Sequence, residues 1–179
     1  MEVGIFTNMN VVIETERLLL RTFTGLDTNL VYELNADPDV TQYTHDPVKD
    51  IAHASEILEK TILPQYALFN HGRWAVHLKL SLQFLGWCGL KYRPELNEID
   101  LGFRFKKEAW GKGYATEAAF ASIKHGFERL GLKQITGRAE IENIGSWRVL
   151  EKCEMTYIGI QDVDGYPVKT YEINNPSVR

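Results

Sequence analysis

The chain has 179 residues, with 24 acidic against 20 basic side chains for a net charge of -4, and 44% of it is hydrophobic. That is enough chain for one domain with a real core, in an ordinary globular composition, and the acidic balance argues against nucleic acid as the main partner while tolerating a cationic substrate. No apolar run is long enough to span a bilayer, and the first ten residues lack the basic and apolar regions of a signal peptide, so a cytoplasmic protein away from the membrane is expected.

Residues 1–13 read as a tail and 14–175 as a single domain. Glu16–Phe23 is strand-like around the buried run Leu18–Leu20. Thr24 and Asp27 resemble a capping box, and Leu30, Val31 and Leu34 give the helix that follows its apolar stripe. Asp37-Pro38 ends that helix, and Val40–His45 is a polar-aromatic loop. Asp46 as N-cap and Pro47 at the first position start a second helix, with Ile51, Ala54, Leu58 and Ile62 at helical spacing until Pro64 stops it.

The period then changes to two. From Arg73, Trp74, Val76, Leu78 and Leu80 point one way, and Ala75, His77 and Lys79 the other. Phe84–Tyr92 is a strand whose Gly86 and Gly89 suggest a bulge or a close backbone approach. Cys88, in this strand, and Cys153 are the only cysteines. They form no disulfide framework and no zinc motif, so they read as packed thiols, and no metal is expected.

In Ile99–Phe105, Ile99, Leu101, Phe103 and Phe105 share one face, and Asp100, Gly102 and Arg104 the other, completing an antiparallel meander. A helix over Thr116–Leu130 with Gly131 as C-cap leads to strand Gln134–Ile141, which should lie parallel to Ile99–Phe105 because a helix connects them. A short helix over Asn143–Lys152 and two strands, Met155–Gln161 and Val168–Asn174, close the chain. The order β-α-α-β-β-β-α-β-α-β-β implies an α+β fold, an α/β sandwich around a mixed sheet.

Lys107–Ala118, K-E-A-W-G-K-G-Y-A-T-E-A, sits where strand turns into helix. The first N–H groups of a helix have no internal partner, and the helix dipole favours negative charge there. Gly111 and Gly113 carry no Cβ to hold a ligand away. The stretch is therefore a candidate phosphate or pyrophosphate pocket. A Walker A reading fails, because Lys106 stands at the first glycine and Gly113 follows Lys112. A dinucleotide fingerprint would need a third glycine where Thr116 stands, and a parallel start rather than a meander.

In this element order, Trp110–Thr116 resembles the GNAT (Gcn5-related N-acetyltransferase) superfamily, with its closest look to the ribosomal-protein N-terminal acetyltransferases related to RimJ and RimL. The family's [QR]-x-x-G-x-[GA] signature falls on Trp110–Ala115, with Trp110 in place of Gln or Arg. E-T-E-R-L-L-L-R at Glu14–Arg21, Asp39-Val40 with Tyr43, and the N-x-x-S…L-E-K pattern of Asn143, Ser146 and Leu150–Lys152 match further segments. The resemblance covers roughly Glu14 to Asn174. One departure is Glu154, which stands where the family usually closes its helix with glycine.

The resemblance implies helices on both faces of a mostly antiparallel sheet and a splayed parallel strand pair that binds acetyl-CoA as co-substrate. The pyrophosphate would lie on the N–H groups of Trp110, Gly111, Lys112, Gly113, Tyr114 and Ala115, with the Thr116 hydroxyl as a further donor and the Lys112 side chain solvated. Backbone groups of Leu101, Phe103 and Phe105 would serve the pantetheine arm, one N–H polarising the thioester carbonyl. Asn143 would cap its helix and also bond the pantetheine, and Ser146 would hydrogen-bond the sulfur. Asp100 is the candidate base, acting through a water, with Glu98 two residues earlier on the same face as its understudy; Arg104 is too far along the strand to neutralise Asp100. Tyr43, His45, His77 and Trp87, with the Asp162–Pro167 hairpin, would line the acceptor pocket. Direct transfer to a primary amine is expected, with a protein N-terminal α-amine as acceptor, since its pKa of about 8 makes it easier to deprotonate than lysine. A small amine (polyamine, amino acid or aminoglycoside), a non-catalytic acyl-CoA-binding module and a dinucleotide protein are the alternatives. Monomer and homodimer are both open.

Overall fold

The structure is a computed structural model that describes residues 9–177; the expected tail, residues 1–13, lies largely outside that range, and its last three residues belong to a strand instead. Eight strands form one sheet: β1 Val11–Glu14, β2 Leu18–Thr22, β3 Arg73–Leu78, β4 Phe84–Arg93, β5 Glu98–Phe105, β6 Gln134–Glu140, β7 Thr156–Val163 and β8 Tyr166–Asn174. Their order across the sheet is β1-β2-β3-β4-β5-β6-β8-β7. Every neighbouring pair is antiparallel except β5–β6, whose connection is the helix α5, Tyr114–Glu128. The mixed sheet and its parallel pair are as the sequence predicts; β1 is an added edge strand.

Period-two alternation gives the sheet two buried faces. On one, Leu18, Leu20, Trp74, Val76, Cys88, Leu90 and Leu101 pack under α5 and α6 (Ile144–Lys152). On the other, Ala75 and Phe84 pack under a helical layer through Val31, Leu34, Ala54, Leu58 and Ile62. That layer covers only the β2–β4 half of its face. Over β4–β6 the same face carries polar and charged side chains, and this division creates the site.

The helical layer departs from the sequence reading in four places. Helix α1 spans Thr28–Asn35, and Asp27 does not cap it. Its carboxylate takes a bidentate bond from Arg21 at 2.8 Å and accepts from the Thr24 N–H at 2.7 Å. Asp37-Pro38 opens a short helix, α2 Pro38–Thr41, because the Asp37 side chain accepts from the Asp39 N–H and proline suits a first turn. Asp46-Pro47 starts no helix: α3, Ile51–Ile57, is capped by Asp50, which accepts from the His53 N–H at 2.8 Å, while Asp46 pairs with Arg104. Pro64 does not stop the run. Proline has no N–H for the carbonyl four residues back, so the helix widens into a π turn over Leu58–Ile62 and continues as α4, Leu63–Phe69.

Strand β3 also ends early, at Leu78, leaving Leu80 101% exposed in the turn. The bulge predicted near Gly86 is present opposite Val76/His77, where a Cβ on Gly86 would lie 2.1 Å from the Arg104 carbonyl oxygen. Helix α5 runs Tyr114–Glu128 rather than Thr116–Leu130, and it caps at Arg129 while Gly131 takes a left-handed φ of 65° two residues on.

Candidate active site

Strands β5 and β6 pair in register only at Asp100–Thr136 and Leu101–Gly137. Beyond those residues they diverge, and their C-terminal ends lead to the glycine loop and to α6. The Lys106 N–H donates to Leu85 on β4 at 2.8 Å, so on alternating residues Leu101, Phe103 and Phe105 turn their N–H and C=O toward the cleft. Bonds already made on that side agree: Ile99 O accepts from the Thr136 hydroxyl at 3.1 Å, and Phe105 O accepts from the Trp110 indole at 2.8 Å. Leu101 is spent near β6, and the Phe105 carbonyl is taken by Trp110. Phe103 is left with both backbone groups free in the cleft.

That indole bond also accounts for Trp110 at a position expected to hold Gln or Arg: it ties the loop back onto the end of β5. One expectation is corrected here. The Trp110 N–H is not available to a ligand, because it closes a 3₁₀ turn, Lys107–Ala109, onto Lys107 O at 3.1 Å. Among the described residues the N–H groups of Gly111 to Thr116 have no acceptor, since the first bond of α5 is Glu117 N–H to Gly113 O. Gly111 and Gly113 sit at φ of 71° and 80°, in the left-handed region. The cradle is held from outside by Arg17. Its guanidinium pairs with Glu117 at 2.6 Å, donates to Lys112 O at 3.0 Å and lies 4.6 Å from the Tyr114 ring centroid. Thr15 adds a 2.6 Å bond to the same carboxylate. Burial raises the Glu117 pKa, but Thr15, the Arg17 N–H and the Arg17 charge outweigh it, and the net direction is down. Arg17 stands within the E-T-E-R-L segment noted in the sequence, yet nothing in the sequence shows that it reaches the loop.

On the other bank, the Asn143 side chain caps α6 by accepting from the Ser146 N–H at 3.2 Å. The Ser146 hydroxyl is half-buried and has no partner among the described residues. Cys88 and Cys153 are both buried, and burial pushes each thiol up to about 12. Neither is a nucleophile at neutral pH.

At the start of the divergence lies a carboxylate pair. Arg138 of β6, only 6% exposed, donates to Asp100 at 3.1 Å, to the Thr136 hydroxyl at 3.1 Å, and to Glu98. Arg104 is not the partner of Asp100, as the strand spacing predicts; the partner is Arg138, which the sequence reading missed, although Thr136, Arg138 and Glu140 alternate onto this face. Only one Asp100 oxygen is engaged, and the side chain keeps 17% of its exposure. Burial pushes the Asp100 pKa above its ordinary value, while the charges of Arg138, Arg93 and Lys91 pull it back; the net direction is up. A half-protected carboxylate with one free oxygen and a raised pKa is suited to accept a proton through a water.

The segment after α2 meets the β7–β8 hairpin above this cluster. His45 stacks on Tyr166 with ring centroids 4.0 Å apart and interplanar angle 9°, and its Nε2 lies 2.6 Å from Glu140. Tyr43 is half-buried on the same segment. Trp87 lies across the sheet face, 5.0 Å from the Arg73 guanidinium and 5.9 Å from that of Arg104. His77 does not belong to this wall. It is buried beside Phe84, its Nδ1 2.9 Å from the Leu82 carbonyl oxygen. Among the described residues no cluster of His, Cys, Asp and Glu could hold a metal ion.

An acetyltransferase (GNAT) domain model matches residues 17–156. The uncharacterized N-acetyltransferase YnaD of Bacillus subtilis is 32% identical over 144 residues, covering 80% of this chain and 81% of YnaD. A GNAT-family acetyltransferase from Bacillus anthracis superposes with a TM-score of 0.78 at 28% identity, over 91% of this chain and 98% of that one. Two more distant solved structures share the fold: RimL, a ribosomal alpha-N-protein acetyltransferase, in complex with coenzyme A (TM-score 0.79, 14% identity, 92% and 97% covered), and a Vibrio cholerae spermidine N-acetyltransferase with CoA and spermine (TM-score 0.74, 19% identity, 90% and 97% covered). With a free-edged parallel pair opening onto an unpartnered N–H cradle, and the family model spanning most of its length, this chain belongs to the GNAT acetyltransferase family and is an N-acetyltransferase.

Proposed function

We propose that this chain moves the acetyl group of acetyl-CoA directly to a primary amine, with a protein N-terminal α-amine as the acceptor. The observation that carries this reading is Asp100: a carboxylate with one oxygen fixed by Arg138 and one free, at the point where β5 leaves β6. Bound acetyl-CoA supplies an activated thioester. The N–H groups of Gly111 to Thr116 would hold its pyrophosphate, and Phe103 would accept from the pantetheine arm through the C=O it turns into the cleft. Its N–H, on the same side, would polarise the thioester carbonyl. Asp100, with Glu98 as the alternative, takes the amine proton through a water, and Arg138 keeps the carboxylate oriented. Ser146 offers its hydroxyl to the departing sulfur, which needs no strong acid because a thiolate has a pKa of only about 8.5. With both thiols buried and protonated, no acyl-enzyme step is needed.

A small amine is the second reading for the acceptor. Within that class a polyamine is disfavoured, because Arg73 and Lys91 face the site without a carboxylate partner among the described residues. The test is incubation with acetyl-CoA and a panel of peptides and small amines, read by free CoA release and by the mass of the products. N-terminally acetylated peptides support the first reading. Acetylated small amines alone support the second, and tight acetyl-CoA binding with no product from any amine would leave a binding module.

A further inference from the structure

A cavity of ≈ 40 Å³ lies between the helical layer and the sheet, bounded by Phe23, Val31, Leu34, Ile57 and Ile62 on its apolar side and by Arg73, Trp87, Arg104, Asn35 and Asp46 on its polar side. Its volume suits a few waters or a single carboxylate. Apolar cavities stay dry and need no explanation, but this one contains two guanidinium groups.

Arg104 has its partners at the Nη atoms: it donates to both oxygens of Asp46, at 2.8 and 3.1 Å, and to Asn35, although its Nε, too, is buried without an acceptor among the described residues. Arg73 is not. Among the described residues its guanidinium has no hydrogen-bond acceptor and no carboxylate partner, and its Nε is fully buried and unsatisfied. Trp87 stacks on it at 5.0 Å, but stacking uses the flat face of the group and leaves its in-plane donors without acceptors. Two cations face one carboxylate here, since Asp46 is committed to Arg104. Lys91, a further cation with no ion pair among the described residues, is within electrostatic reach of Arg73, and of Asp100 and Glu95 as well. Arg73 as a whole is half-buried, but a donor such as its Nε, taken out of water with nothing to accept from it, is costly, and the remaining donors stay open to a ligand.

The position of this cation relative to Asp100 follows from the register. Arg73 pairs with Gly89, Gly89 with Gly102, and Gly102 lies two residues from Asp100 on the same face. Gly89 and Gly102 carry no side chain of their own, and the Trp87 ring lies over Gly102, where a Cβ would meet it at 3.0 Å, so the indole forms the floor between the guanidinium and the carboxylate. The Asp100 charge is itself felt at Arg73.

We propose that the Arg73–Trp87–Arg104 cavity is an anion subsite that holds a carboxylate carried by the acceptor, so that the acceptor is a primary amine bearing a carboxylate. Arg73 supplies the planar fork that matches a carboxylate, Trp87 fixes its plane, and Asp46 holds Arg104 beside it. The amine is thereby presented toward Asp100. A free amino acid and a peptide with an acidic residue beside its N-terminus share this chemistry. The inference rests on the amine-acetylation reading for its substrate, but binding alone can test it.

The experiment measures kcat/KM on matched acid and amide pairs: free amino acids against their amides, and peptides with glutamate against glutamine at the second position. The wild type should prefer the acid by at least about 10-fold, the scale of a hydrogen-bonded charged group. In R73Q the acid-to-amide ratio should fall toward one through a raised KM for the acid, and R73K should restore part of it. The arm that responds identifies free amino acid or peptide. A wild-type ratio of one, or an equal loss on acid and amide in R73Q, overturns the proposal. Acetyl-CoA affinity checks that each variant is folded, and if R73Q fails that check, R73K and the wild-type ratio decide. If no amine is acetylated, the reaction reading fails by itself. Calorimetric titration of the same acids and amides into CoA-saturated protein then decides the subsite: acid-selective binding weakened in R73Q or R73K sustains it, and unselective binding or none overturns it.

Discussion

Asp100 shows how a single side chain is given its properties by neighbours that lie far away in the chain. Burial lifts its pKa and three cations restrain it, with the net direction upward. For a base this has a definite sign. Activity is present above the Asp100 pKa and is lost as pH falls through it, so the acid limb of kcat/KM should lie above ~4, the ordinary aspartate value. D100N should lower kcat by ~10²–10⁴-fold and abolish that limb while leaving acetyl-CoA affinity in place; a variant that keeps its turnover would shift the role to Glu98. In the sequence Asp100 was visible by its place on the strand before the loop. Arg138, which orients it, was not, because its partners Asp100 and Glu98 lie 38 and 40 positions away. Arg73 was hidden for a related reason: at the start of a strand an arginine looks like a solvated flank, and only the helical layer folding over it makes it half-buried, with its Nε out of reach of water.

Among the elements, the glycine loop and the end of α6 make opposite uses of the left-handed region. Gly113, at φ 80°, is the N-cap of α5 and belongs to the cradle. A side chain there would incur about 1–2 kcal/mol of strain, and its Cβ would lie 3.4 Å from Arg17 Nη2. G113A should therefore weaken acetyl-CoA binding by roughly 10-fold or more, as read by calorimetry, because it disturbs both the cradle and its clamp. Glu154 sits at φ 62° past α6, where Met155 N–H reaches back to Leu150 O at 3.2 Å. The turn that glycine usually makes is thus kept, with a non-glycine residue in it. E154G should relieve that strain against some loss of unfolded-state restriction, for a net gain of about 0.5–1 kcal/mol in urea unfolding. Acetyl-CoA affinity should not change. Strands β2 to β8 and both of these turns were legible, apart from the end of β3, because alternation and glycine placement are local signals, whereas the edge strand β1 was read as tail. The starts of α2 and α3 were misread because three Asp residues, two of them followed by proline, compete as caps, and tertiary pairing of Asp46 with Arg104 decided between them.

At the scale of the whole molecule, the sheet order follows from the chain's connections. A meander, one helical crossover and a final hairpin allow few other arrangements, and this is why the fold was readable while the acceptor side was not. The acceptor wall depends on His45 meeting Tyr166, and on a helical layer that stops halfway across the sheet; neither contact has a periodic signature. The divergence of β5 from β6 has a further meaning for the dynamics of the protein. Two residue pairs are all the ladder that joins one block of the sheet, β1–β5, to the other, β6–β8, so backbone pairing is weakest at this seam even though one apolar core runs beneath both. In amide hydrogen exchange, β6–β8 should open at a lower free energy than β2–β4 when the protein is free. A ligand whose backbone-like groups bond Phe103 supplies the missing rungs, and saturating CoA should bring the two blocks to a common opening energy. On that outcome the proposed cofactor cleft would also be the line along which this protein first comes apart, and ligand occupancy would set whether it behaves as one folding unit or two.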